Sequence, residues 1–124
     1  MNNWGEFEFN EEYTGDDILE INDVTLPKQY IDFMKQHNGG EGDIGESWFV
    51  LYKLEELQQI NDDYNVKEYL PEHIIIGSNG GGEFYGIDKN ENYFNVPEFM
   101  DIDDVALLGN DINELPDKVN ELWS

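Results

Sequence analysis

The chain has no cysteine and no arginine, only six lysines, and no apolar stretch long enough to span a bilayer within its 124 residues. Each absence closes off some chemistry. Without cysteine there are no disulfides and no thiolate metal ligands, which fits a reducing compartment. Without an apolar run of about 20 residues there is no segment to cross a membrane as a helix. Residues 1–10 carry Glu6 and Glu8 where a secretory leader needs a basic and then an apolar segment, so a soluble, cytoplasmic protein is expected. The six lysines face 29 acidic residues, for a formal net charge of −23. Such a field repels nucleic-acid phosphates and anionic lipid and attracts a basic partner from a distance. Direct binding of DNA, RNA or a membrane is therefore not expected.

So acidic a composition is often disordered, yet 39% hydrophobic and 14% aromatic residues supply material for a core. A folded, acidic, single domain over residues 1–124 is expected, with no internal repeat or linker. Residues 74–88 organise it. Ile74, Ile75 and Ile76 form a β-branched run suited to a strand buried on both faces. Asn79-Gly80-Gly81-Gly82 tolerates the positive φ of a tight reversal, and residues 83–88 return as the partner strand.

The remaining elements are expected around this hairpin. Phe7 and Phe9 alternate with Glu6 and Glu8 as a short edge strand, while residues 10–23 are ambiguous. Residues 26–37 form a helix, with Thr25 as its cap, Pro27 in its first turn, and Tyr30, Phe33, Met34 and His37 on one stripe. Asn38-Gly39-Gly40 stops it in the left-handed manner. A glycine-rich acidic loop over 41–46, a strand over 47–52, a short helix through Leu54, Leu57 and Ile60, and an irregular stretch over 62–71 lead to the hairpin. A third strand covers residues 92–96. After the acidic cluster 101–104 and the apolar run 105–108, a terminal helix starts or kinks at Pro116.

The order and spelling of several segments resemble one family. Leu26-Pro27-Lys28-Gln29-Tyr30 leads through Phe33 to Asn38-Gly39-Gly40, then to Leu54-Glu55-Glu56-Leu57 and to the run from Ile76 to Glu83. With Val96-Pro97, Asp103-Asp104 and Leu108-Gly109, these are similar to the SMI1/KNR4 (SUKH) domain, most clearly over residues 24–124. Two features depart from the family pattern. Asn110-Asp111-Ile112 stands where a Ser-Phe pair commonly opens the last helix, and the N-terminal segment lacks a clear amphipathic helix. The resemblance implies an α+β single domain, with a central antiparallel or mixed sheet, flanking helices and no catalytic machinery or cofactor. Bacterial members resemble immunity proteins that bind and neutralise a cognate toxin, often a nuclease; fungal relatives resemble regulatory interaction modules. The acidity favours the first role, with carboxylates standing in for the phosphates a basic nuclease holds.

Sharper chemical readings do not hold up against plainer ones. Asn79 to Gly82 lacks the Lys-Ser or Lys-Thr of a phosphate cradle and is followed by Glu83, so a structural turn is favoured. His37 and His73 have no companion ligand spacing. The segments at 88–92 and 101–104 lack the glycine and final acid of a calcium loop. No carboxylate pair stands out as catalytic. The expected partner-binding residues are Glu41, Asp43 and Glu46, then Asp101, Asp103 and Asp104, with Trp48 as a candidate anchor whose alternative is the core.

Overall fold

The computed structural model describes residues 4–123. In chain order it runs β1 (Glu8–Phe9), β2 (Glu20–Ile21), β3 (Val24–Thr25), α1 (Lys28–Gln36), β4 (Gly40–Asp43), β5 (Trp48–Leu51), a 3₁₀ turn (Leu54–Glu56), α2 (Leu57–Asp63), α3 (Val66–Tyr69), β6 (His73–Ser78), β7 (Glu83–Asp88), β8 (Tyr93–Pro97), a second 3₁₀ turn (Ile102–Asp104), β9 (Ala106–Leu107) and α4 (Leu115–Leu122). Seven strands make one antiparallel sheet in the order β1-β4-β5-β6-β7-β8-β9, while β2 and β3 pair apart from it. This is the α+β architecture expected, with the hairpin β6–β7 at the centre of the sheet.

Burial explains why the hairpin sits there. Ile74, Ile75 and Ile76 are all fully buried, and alternation splits them between two cores. Ile74 and Ile76 join Phe49, Leu51, Tyr85, Ile87 and Tyr93 against Tyr30 and Met34 of α1 and Leu115 and Val119 of α4. Ile75 joins Phe84, Phe94 and Val96 on the other face, covered by Val66 and Leu70 from α3 and its end. Burying each such side chain contributes roughly 1.5–3 kcal/mol, so a strand anchored on both faces is the natural axis. Gly86 is required where it stands, because a Cβ there would lie 1.9 Å from the Ile74 carbonyl oxygen. Trp4 gathers the N-terminal aromatics, its ring centre 5.0 Å from that of Phe7 and 5.3 Å from that of Phe33.

Several local expectations are corrected. The first half of the segment expected as a loop over 41–46 belongs to strand β4, and residues 44–47 form the turn into β5. Gly40 and Gly42 lie so close to the β1 backbone that a Cβ on Gly40 would be 2.2 Å from the Glu8 carbonyl oxygen. Glycine here therefore serves strand pairing rather than looseness. Thr25 does not cap α1; it is paired with Glu20, and Pro27 takes the cap position without a side-chain bond. The helix ends on His37 in an extended conformation, and the first left-handed residue after it is Gly39. Residues 62–71 are more regular than expected, since α2 runs to Asp63 and α3 follows. The ambiguous stretch 10–23 contributes β2, while at Pro116 the first of the two expected alternatives holds, the proline lying in the opening turn of α4.

Candidate functional site

Cross-strand partners share a face of a sheet, so the register fixes which side chains stand together. The partners Glu8 and Glu41, Glu41 and Val50, and Asp43 and Trp48 put these five side chains on the α3-bearing face of the sheet. There, α2 and α3 pack on β6, and the buried cluster they cover draws no residue from β1, β4 or β5. The face of β1, β4 and β5 is left open and acidic. Glu6, Glu8, Glu41, Gly42, Asp43 and Trp48 line a shallow cavity of about 200 Å³ on it. Trp48 is 45% exposed, so of the two readings open to it the surface one applies.

The sheet order also settles how the two acidic groups relate. β4 and β8 are four strand positions apart, about 19 Å at the usual spacing. Direction compensates in part. β4 ends, β5 begins, β6 ends, β7 begins, β8 ends and β9 begins at the same end of the sheet. The turns 44–47, 79–82 and 98–105 therefore form one rim. Asp43, Glu46 and Trp48 stand toward one side of it and Asp101, Asp103 and Asp104 toward the other, while Glu41 lies two residues down β4. Asp101 is held by its own segment, its carboxylate accepting the Asp103 N–H at 2.9 Å. Phe99, in the same connection as Asp101, is 86% exposed.

Sequence reasoning missed Glu6, Glu8, Glu83 and Trp123. The alternation of Phe7 and Phe9 with glutamates gave the outward face of β1, but only the pairing with β4 shows what lies beside it. Trp123 follows the last apolar residue of α4 and donates its indole N–H to the Tyr85 hydroxyl at 2.9 Å. With Ser47, Trp48, Asn79, Gly81 and Glu83 it lines a second cavity of about 390 Å³ at the rim.

The lysines occupy a different region. Lys53 follows the far end of β5, and Lys89 follows the far end of β7 and bonds Glu72, just before β6. Lys67 lines a cavity with Lys89 and Glu72, and a Cβ on Gly109, beyond β9, would lie 3.9 Å from the Lys118 Cε. Lys28 and Lys35 pair on α1 with Asp32 and Asp17. The hydrogen bond that Lys35 donates to the Asp17 carboxylate raises its pKa, and the Coulomb attraction between them adds to that. Four of the six lysines thus lie at the end of the sheet opposite the rim.

His37 sits against Phe9 and Phe33, and His73 turns Nδ1 to the Pro71 carbonyl, 2.8 Å away. Among the described residues no group of three or more His, Asp or Glu side chains is placed to hold a metal ion, and no helix is long and apolar enough to cross a membrane. The glycine turn is fixed by Asn79, whose side-chain oxygen accepts the N–H groups of Gly81 at 2.7 Å and Glu83 at 3.1 Å. It is a structural turn.

Compared with known proteins, residues 8–121 match the model of the SMI1 / KNR4 family (SUKH-1). The match starts at β1, so it takes in the N-terminal segment that the sequence motifs left outside. No curated protein matches the chain closely enough to add a more specific function.

Proposed function

Since the chain belongs to the SMI1 / KNR4 family (SUKH-1), whose members include immunity proteins, we propose that it is a cytoplasmic, non-enzymatic binding protein that neutralises a basic bacterial toxin, nuclease-type in its chemistry. The observation that supports this reading most is the open face of β1, β4 and β5, where Glu6, Glu8, Glu41 and Asp43 surround the exposed Trp48. Directly opposed carboxylates such as Glu8 and Glu41 repel each other in the free protein, and a basic surface removes that cost. A half-exposed tryptophan amid charge is the kind of side chain that anchors an interface while the charges around it set orientation and on-rate. The rim extends the same field across about 19 Å, a span suited to one partner domain.

The test is titration of this chain with the C-terminal domain of the protein encoded beside it, at low and high salt, with that domain's activity read in parallel. Sub-micromolar binding that weakens with salt and suppresses the activity is the expected result. Absence of binding at both salts overturns the assignment in favour of an intracellular regulatory module of the same family.

A further inference from the structure

The cavity at the rim differs from the open acidic face in having two aromatic walls. Trp48 comes from the start of β5 and belongs to the α3-bearing face. Trp123 comes from the end of α4, which packs on the opposite face. The two indoles therefore reach the strand ends from either face, and Glu83 at the start of β7 lines the same cavity. They are 45% and 48% exposed, so each keeps much of its ring open to solvent.

Trp123, Glu83 and the adjoining turn are held before anything binds. Trp123 is tied to the Tyr85 hydroxyl, and Glu83 accepts the side-chain N–H of the buried Asn95 at 3.1 Å. The turn beneath Trp48 is fixed by Asn79, and a Cβ on Gly80 would lie 3.7 Å from Trp48 Cδ1. On the remaining side, Asn120 of α4 donates to the Ile44 carbonyl, joining the 44–47 turn to the helix that carries Trp123. A slot with aromatic walls and a carboxylate suits a cation on a long apolar stem, because the rings attract the charge and pack the stem while the carboxylate neutralises it. Preorganisation spares the ordering cost that a flexible site incurs on binding.

The geometry points to this slot as the receptor for one arginine or lysine side chain of the protein partner, held between Trp48 and Trp123 and paired with Glu83. Arginine fits better, since a planar guanidinium stacks on an indole while bonding a carboxylate. The inference rests on the reading above that the partner is basic. It adds the position at which a single basic residue decides specificity.

The probes are tetra-arginine amide and its citrulline counterpart, which keeps the shape and removes the charge, titrated against the full chain with the indole N–H resonances as readout. The arginine peptide should shift the Trp48 and Trp123 signals in a saturable way, and the citrulline peptide should leave them in place. Trp48→Ala and Glu83→Gln should each weaken the arginine peptide by about fivefold or more, with Trp48→Phe recovering part of the loss, whereas Asp103→Asn should have a smaller effect. Equal affinity for wild type and Trp48→Ala overturns the slot. The two proposals fail separately: a toxin domain that binds wild type and Trp48→Ala alike removes the slot and keeps the immunity reading. Arginine held in the slot without any binding of the neighbouring toxin domain keeps the slot and removes that reading.

Discussion

Asn61 gives Ile75 the two hydrogen bonds that a neighbouring strand would otherwise supply. Its side-chain oxygen accepts the Ile75 N–H at 2.8 Å, and its amide nitrogen donates to the Ile75 carbonyl at 3.0 Å and to the Leu57 carbonyl at 2.8 Å. The ladder between β5 and β6 pairs only Val50 with Ser78 and Leu51 with Gly77, so Ile75 lies beyond its last rung. A side chain of α2 completes the sheet there, at full burial.

Replacing Asn61 with alanine strips those partners from buried backbone groups. Asn61→Ala should lower stability by about 2–4 kcal/mol, read as a shift in the urea midpoint. Asn61→Asp should also destabilise, because a carboxylate cannot donate to the Leu57 and Ile75 carbonyls. An unchanged midpoint for both would show that the bond pair contributes nothing.

Gly40 tests the edge of the sheet. A side chain there collides with the Glu8 carbonyl oxygen at a φ of +149°, so Gly40→Ala should push β1 off β4. Trp4, now 2% exposed, should then show red-shifted, more quenchable fluorescence. Binding of the toxin domain should weaken as well, although no carboxylate has been altered.

The opposed carboxylates Glu8 and Glu41 make a prediction of opposite signs. Glu41→Gln relieves a like-charge pair and should raise the melting temperature of the free protein while slowing association with a basic partner. Added salt should narrow both differences, since it screens exposed charges beyond about 8–10 Å. Equal melting temperatures at low salt would argue that the pair is already relaxed by solvent.

Asn38 links α1 to the next helical segment: its oxygen accepts the Leu54 N–H at 2.8 Å and its amide donates to Glu55 at 2.7 Å. That hydrogen bond, with help from the Glu55 backbone N–H, holds the Glu55 carboxyl below its usual range. A group with a depressed folded pKa contributes stability above its unfolded value, near 4.3, and loses it as the pH falls through the lower folded value. The difference in urea midpoint between wild type and Glu55→Gln should therefore be present at pH 7 and shrink by pH 3.

Much of this arrangement is legible in the chain because local and global preferences agree. Ile74 to Ile76, the glycine turn and the stripe of Tyr30 and Met34 each specify their element and their burial together. β4 is the counter-example: Gly-Glu-Gly-Asp has little strand propensity, and it is extended because it pairs with β1 and β5, with β1 leaving room for nothing larger than glycine at Gly40. The site divides the same way. Its acidity and the candidacy of Trp48 could be read from composition and pattern. That Asp43 and Asp103 share a rim, and that Trp48 faces a slot with Trp123, depends on strand order, which no local window contains.

The placement of the lysines also has a practical side. Lysine-directed chemistry on this molecule falls on α1 and on the end of the sheet opposite the rim. Coupling the chain to a support through its lysine amines would consequently leave the acidic rim and its two tryptophans facing outward, oriented for capture without any engineered tag.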